Sequence, residues 1–299
     1  MKIKSNGIDI EVEDTGAGVD ALGNERQVVL LIMGLGMQLI AWPMDLVNAL
    51  VAAGYRVVRF DNRDIGLSQH FDAQGMPNVL FSAVKARMGL TVRAPYSLSD
   101  MAQDTVGVLD ALGIKRAHVV GVSMGGMIAQ RVALAHPKRL LSLTSIMSTS
   151  GARGLPQTEP RVLRALMSRP ASLSPKDIGD FYVKLLSVIG SPGFKVPEAE
   201  IRARAVTAFE RSYHPQGVSR QMLAIMADST RAKALADVTV PTLVVHGTAD
   251  VLVPFACGED TAKRIPEAKF VAIDGMGHDL PPGVVQRMLG SLIPHLKSA

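Results

Sequence analysis

Six short apolar runs restrict the fold of this chain more than any other feature: "VVLLIM" at 28–33, "YRVVRF" at 55–60, "AHVVGV" at 117–122, "LLSLTSIM" at 140–147, "PTLVVHG" at 241–247 and "AKFVAIDG" at 268–275. They are rich in Val, Ile and Leu, and continuous rather than alternating. A strand reads that way when both of its faces are covered, as in a parallel sheet between two layers of helices. The amphipathic stretches 46–55, 101–114 and 127–140 supply such helices. Strand and helix in alternation predict a mostly parallel central sheet of the α/β class with helices on both faces. The opening "KIKSNGIDIEVEDTG" reads instead as an antiparallel hairpin added to that sheet.

The alternation stops between 151 and 230, where Pro and Gly punctuate helical periodicity and no strand-like run appears. The expected organisation is therefore a core of residues 1–150 and 231–299 with a helical cap, 151–230, inserted after the strand at 140–147. A loop-rich stretch at 65–100 adds to the same entrance. A hydrophobic share of 47% with 20% charged residues is globular composition. The net charge of +5 comes without a basic run or an aromatic-interleaved stripe, which argues against a nucleic-acid partner. Cys257 is the single cysteine, so no intrachain disulfide forms. No stretch reaches the ~18 consecutive apolar residues of a membrane span, and the first residues lack a secretory signal, so a cytoplasmic location is expected. Nothing in the sequence fixes an oligomeric state.

Chemistry concentrates in three places. In "HVVGVSMGGMIAQ", Ser123 stands between Gly121 and Gly125 where a strand run turns into a helical pattern, the signature of a serine lifted on a strained strand-to-helix turn. A serine hydroxyl needs a base within hydrogen-bond reach. Of seven histidines, His278 in the glycine-rich "DGMGHDLPPG" follows the last strand, at the sheet edge where open α/β sheets bind ligands; His246 is a rival. Asp250 in "VVHGTADVLVP" completes the order Ser, Asp, His, with Asp274 as a rival and Asp279 badly placed beside His278. An oxyanion needs backbone N–H donors: one from Met124, the other from "MGLGMQL", where Gly34 and Gly36 let the chain approach and Leu35 is favoured over Gly36. "GLGMQL" lacks the third glycine of a dinucleotide fingerprint. No metal-ligand spacing or cofactor motif is present, so no cofactor and no metal are expected. Met37, Trp42, Met124 and Met127, with Gly34 and Gly36, are candidates for an apolar substrate wall, although core packing explains the side chains equally well.

With "GVSMGG" as nucleophile elbow, "HGTAD" as acid loop and "GMGHDLP" as histidine loop, the chain resembles the α/β-hydrolases over nearly its full length. More narrowly, "MGLGMQLIAWP", "RFDNRDIGLS" and "GMGHDLP" are similar to the aclacinomycin methylesterase-like branch. Two positions depart from the wider pattern, Met33 where a histidine is common and Asp64 where a glycine is common. The cap has no such counterpart, so a substrate does not follow. The resemblance implies a serine carboxylesterase acting on short to medium, fairly hydrophobic esters, methyl esters among them, through an acyl-enzyme. The same triad also serves amides, lactones and carbon–carbon bonds, and the fold also serves slow small-molecule receptors. Asp61, Arg63 and Asp64 of "DNRDIGLS" read as a structural charge and turn cluster.

Overall fold

A computed structural model describes residues 1–19 and 23–299. Its sheet holds β1 (Lys2–Ser5), β2 (Ile8–Asp14), β3 (Val28–Ile32), β4 (Arg56–Phe60), β5 (Ala117–Val122), β6 (Leu140–Ile146), β7 (Thr242–Gly247) and β8 (Lys269–Ile273), in the order β1-β2-β4-β3-β5-β6-β7-β8. Strands β3 to β8 pair in parallel, whereas β1 and β2 form an antiparallel hairpin that joins β4 antiparallel. Asn6 and Gly7, with φ of 49° and 81°, make the tight turn that this hairpin requires.

The continuous apolar runs now have their cause. Along β3, Leu30 and Ile32 enter one core layer while Val29 and Leu31 enter the other, all at 0% exposure. The first layer is closed by α3 (Leu98–Ala111) and α4 (Met124–Ala135), the second by α1 (Met44–Ala52) and α11 (Pro282–Lys297). Helix α4 starts three residues before the predicted stretch, immediately after Ser123, and stops before Pro137 because a residue preceding proline is driven out of helical geometry. Within the loop-rich stretch 65–100 stands one helix that the sequence did not mark, α2 (Val79–Arg87), capped by the Asn78 side chain. Its Leu80, Phe81 and Val84 face solvent, so its pattern carries no core-facing stripe.

Between β6 and β7 lie α5 (Pro160–Met167), α6 (Pro175–Ile189), α7 (Glu198–Arg211) and α8 (Pro215–Ala227). Proline opens three of these, where its missing N–H costs nothing, which accounts for the Pro-punctuated periodicity of the insertion. Short α9 (Arg231–Ala234) leads back to β7, and α10 (Phe255–Arg264) joins β7 to β8. Among the described residues no helix is long and apolar enough to cross a membrane.

Candidate active site

The loops that carry chemistry leave the C-terminal ends of four parallel strands: 33–38 after β3, the turn at Ser123 after β5, 248–254 after β7 and 274–281 after β8. That shared edge brings together residues far apart in the chain.

Ser123 sits at φ 55°, ψ −120°, a strained conformation for a residue with a side chain. The turn is tight enough that a Cβ on Gly121 would collide with the Gly125 carbonyl, and one on Gly125 with the carbonyls of Ile32 and Met33. Two backbone contacts hold it: the Ser123 N–H donates to Ile146 O (2.9 Å), and the Ser148 hydroxyl donates to Ser123 O (2.7 Å). Although Ser123 occupies the N-cap of α4, its side chain does not cap the helix, which leaves Oγ free.

Oγ lies 2.9 Å from His278 Nε2, and His278 Nδ1 lies 2.7 Å from Asp250 Oδ2. The other Asp250 oxygen accepts the N–H groups of Leu252 and Val253, both at 2.9 Å, so the carboxylate is fixed at both ends. The Asp250 side chain is fully buried, and His278 is 8% exposed. The His278 loop is pinned by its own N–H to Ile189 O (2.7 Å), at the end of α6.

The rivals sit elsewhere or are otherwise engaged. His246 is buried with Nε2 on Val253 O (2.8 Å), and it is 3.6 Å from the Asp250 carboxylate that His278 holds at 2.7 Å. Burial lowers the His246 pKa. Asp274 accepts from the Thr248 hydroxyl, and Asp279 accepts the N–H and hydroxyl of Ser191. His118 lies in the sheet against Ser142 and Gln27; His136 meets Gln103 at the surface. His70 and His214 stack at 3.8 Å, and with Asp72 they bring possible metal-ligand atoms within 4.8 Å of one another. The Arg220 guanidinium already reaches His214 Nε2 (3.0 Å) and Asp72 Oδ1 (3.2 Å), so a cation occupies the place a metal would need.

Gly34 lies against the serine: a Cβ there would stand 3.2 Å from Ser123 Cβ. The two candidate donors of the 34–36 turn are now distinguished. The Gly36 N–H donates to Gln221 Oε1 (3.0 Å), whereas the Leu35 N–H has no backbone or side-chain acceptor among the described residues. The Met124 N–H is at the first position of α4, where helix geometry offers it no partner.

The sheet separates the residues read as an apolar wall. Trp42 is 1% exposed and packed in the layer of α1 and α11, a core residue rather than a lining one. Met124 and Met127 belong to the opposite layer, and Met37 alone of the four is exposed, at 38%. Ser148 and Gln221 support the site without any motif of their own. They contact it across long separations, 25 residues for Ser148 and 185 for Gln221, which leave no local spacing to read.

A family model for the α/β hydrolase fold matches residues 27–281, and the chain belongs to that family. It is 28% identical to rhodomycin D methylesterase DauP of Streptomyces sp. (strain C5), over 91% of both chains. It is 31% identical to a putative carbamate hydrolase RutD of Caulobacter segnis, over 85% of both. Among solved structures it is similar to an enol-lactonase from Burkholderia xenovorans LB400, with TM-score 0.74 and 21% identity over 99% of this chain and all of that one.

Proposed function

We propose that this chain is a serine carboxylesterase whose nucleophile, base and acid are Ser123, His278 and Asp250. One observation carries the reading: an unbroken hydrogen-bond line from Ser123 Oγ through both nitrogens of His278 to a buried carboxylate. Asp250 accepts the Nδ1 proton and so leaves Nε2 as the acceptor facing the serine. His278 takes the hydroxyl proton as Oγ attacks the ester carbonyl. The charge that develops on the carbonyl oxygen meets the N–H groups of Leu35 and Met124, the latter at the positive end of α4. Collapse expels the alcohol with the proton held by His278. Water, deprotonated by the same imidazole, then releases the acid and restores Ser123.

The similarity to a methylesterase supports a carboxylic ester as substrate. The half-buried Leu35 and exposed Met37 beside Gly34 favour a short to medium, fairly hydrophobic ester. In this reading residues 151–230 form a cap over the catalytic edge, and the enzyme acts in the cytoplasm.

The test is steady-state hydrolysis of p-nitrophenyl esters of increasing acyl length. Wild type is expected to turn over repeatedly, Ser123→Ala to lose turnover while keeping its melting curve, and Asp250→Asn to lose on the order of 10⁴ in kcat through the wrong histidine tautomer. Full activity in Ser123→Ala would refute the nucleophile. A dead Asp274→Asn beside a normal Asp250→Asn would move the acid role.

A further inference from the structure

The loop that carries the Leu35 N–H is held from outside the sheet. Met37 N–H donates to Gly34 O (3.3 Å), closing a four-residue turn. Gly36, third in that turn, has φ +69°, and Leu35 before it does not have positive φ, which makes this a type II turn. Glycine at that position also tolerates the negative φ of a type I turn, so nothing local prevents the Leu35–Gly36 peptide from flipping. A flip would reverse the peptide dipole that adjoins the Leu35 N–H.

A single buried side chain opposes that flip. Gln221, on α8 and fully buried, accepts the Gly36 N–H at 3.0 Å and donates through Nε2 to Arg63 O at 2.9 Å. Val218, one helical turn earlier, packs a methyl 3.0 Å from the place of a Gly36 Cβ. The far end of the loop is gripped from the same insertion: Gln38 Nε2 donates to Ala208 O (2.6 Å) and Ser212 O (2.8 Å), and its Oε1 accepts from Arg211 (2.6 Å).

We infer that Gln221 is a positioning residue for the oxyanion hole, locking the Leu35–Gly36 peptide so that its dipole keeps one direction beside the Leu35 N–H that meets the reacting oxygen. The inference rests on the serine-esterase reading above. It makes the hole a joint product of core and insertion: lifting α8 off the loop would release the lock, so the site is complete only with the insertion seated.

Loss of an oxyanion donor outright costs about 10²–10³ in kcat, so a donor kept but unlocked should cost roughly tenfold or more. In Gln221→Met, which keeps the bulk but not the hydrogen bonds, kcat is expected to fall by that amount with KM within about twofold. The inhibition constant of phenylboronic acid, a tetrahedral adduct on Ser123, should rise in parallel. That of an ether isostere of the ester, which has no oxyanion, should not move. Gln221→Glu, which still accepts from Gly36, should retain more kcat than Gln221→Met. Should the Met variant not fold, Gln221→Asn, too short to reach Gly36, reads the same ratios. A folded variant with wild-type kcat, a loss confined to KM, or equal losses for Glu and Met would overturn the inference. If wild type turns over, Ser123→Ala does not and Gln221→Met matches wild type, this inference alone fails. A wild type without turnover removes the esterase reading and this inference with it.

Discussion

Ser123 carries a backbone conformation that costs on the order of 1–3 kcal/mol, and the structure keeps it there by leaving no room for the chain to relax. Gly125 is the tightest part of that arrangement, because its neighbours are the backbone carbonyls of β3 and the loop after it, which cannot turn aside as side chains do. Gly125→Ala is therefore expected to destabilise the protein by about 3 kcal/mol in urea unfolding and to remove esterase activity. Gly290, exposed within α11 with nothing within 4 Å of a Cβ, is the opposite case. Gly290→Ala should add about 0.5–1 kcal/mol and leave kcat unchanged. A neutral Gly125→Ala would mean that the turn is looser than its geometry. The residues of the site were legible where position along the chain decides them. Ser123, Asp250 and His278 each follow a strand whose end lies at the same sheet edge, and the structure brings them within hydrogen-bond distance. Gln221 was not legible, because a glutamine in an amphipathic helix has no mark that separates a lock from a core polar group.

Between elements, the segment after β4 ties the insertion to the core. Asp61 accepts from Leu39 N–H (2.7 Å), Leu67 N–H (2.9 Å) and Arg211 of α7 (2.7 Å), yet burial still raises its pKa. Asp64 faces the same burial. There Arg220 of α8, the Phe71 N–H and the Tyr96 hydroxyl outweigh it and hold the carboxyl below its usual range. Arg63 pairs with Asp104 of α3 (2.6 Å), where burial prevails and raises the Asp104 pKa. "DNRDIGLS" was readable as a charge and turn cluster, but its partners lie up to 158 residues away and only the fold reveals them. Asp64 has φ 72°, a conformation that suits glycine, and what this chain gains from the aspartate is its pair with Arg220 (2.6 Å). Asp64→Gly relieves that strain but leaves the fully buried Arg220 without its main counter-ion. A net loss of about 3 kcal/mol in urea unfolding is expected, and Asp64→Gly/Arg220→Leu should lose less than the sum of its single changes. Additive losses would show that the pair does not act as a unit. The inner strands β3, β5, β6 and β7 were legible almost to the residue because two-sided burial leaves a continuous apolar run. Helix α2 was not, since its Leu80, Phe81 and Val84 point to solvent.

At the scale of the whole molecule, a sheet covered on both faces also buries histidines whose charged form the fold disfavours. His118 on β5 is fully buried between Ser142 Oγ (2.8 Å) and Gln27 Oε1 (3.2 Å), with the Tyr55 ring against it. Burial, aided by the nearby His295 and Arg116, lowers its pKa to about 4. His246 on β7 and His295 on α11 are lowered as well, each chiefly by burial. An unfolded chain takes these protons near pH 6.5, and the folded chain takes each of them only at lower pH, His118 at about 4. The stability these groups allow is thus fully present above pH 6.5 and declines as the pH falls towards 4. For His118 alone, linkage gives a loss of about 2 kcal/mol between pH 7.5 and pH 5. Carboxylates complicate an absolute curve, since Asp14, Asp64 and Asp260 are lowered while Asp61, Asp104 and Asp279 are raised. Comparing wild type with His118→Gln cancels them. Urea unfolding at the two pH values should show a difference about 2 kcal/mol smaller in the variant, whatever its stability at pH 7.5. An equal pH dependence in both proteins would mean that His118 takes its proton inside the fold, and that the Ser142 and Gln27 contacts rearrange to allow it.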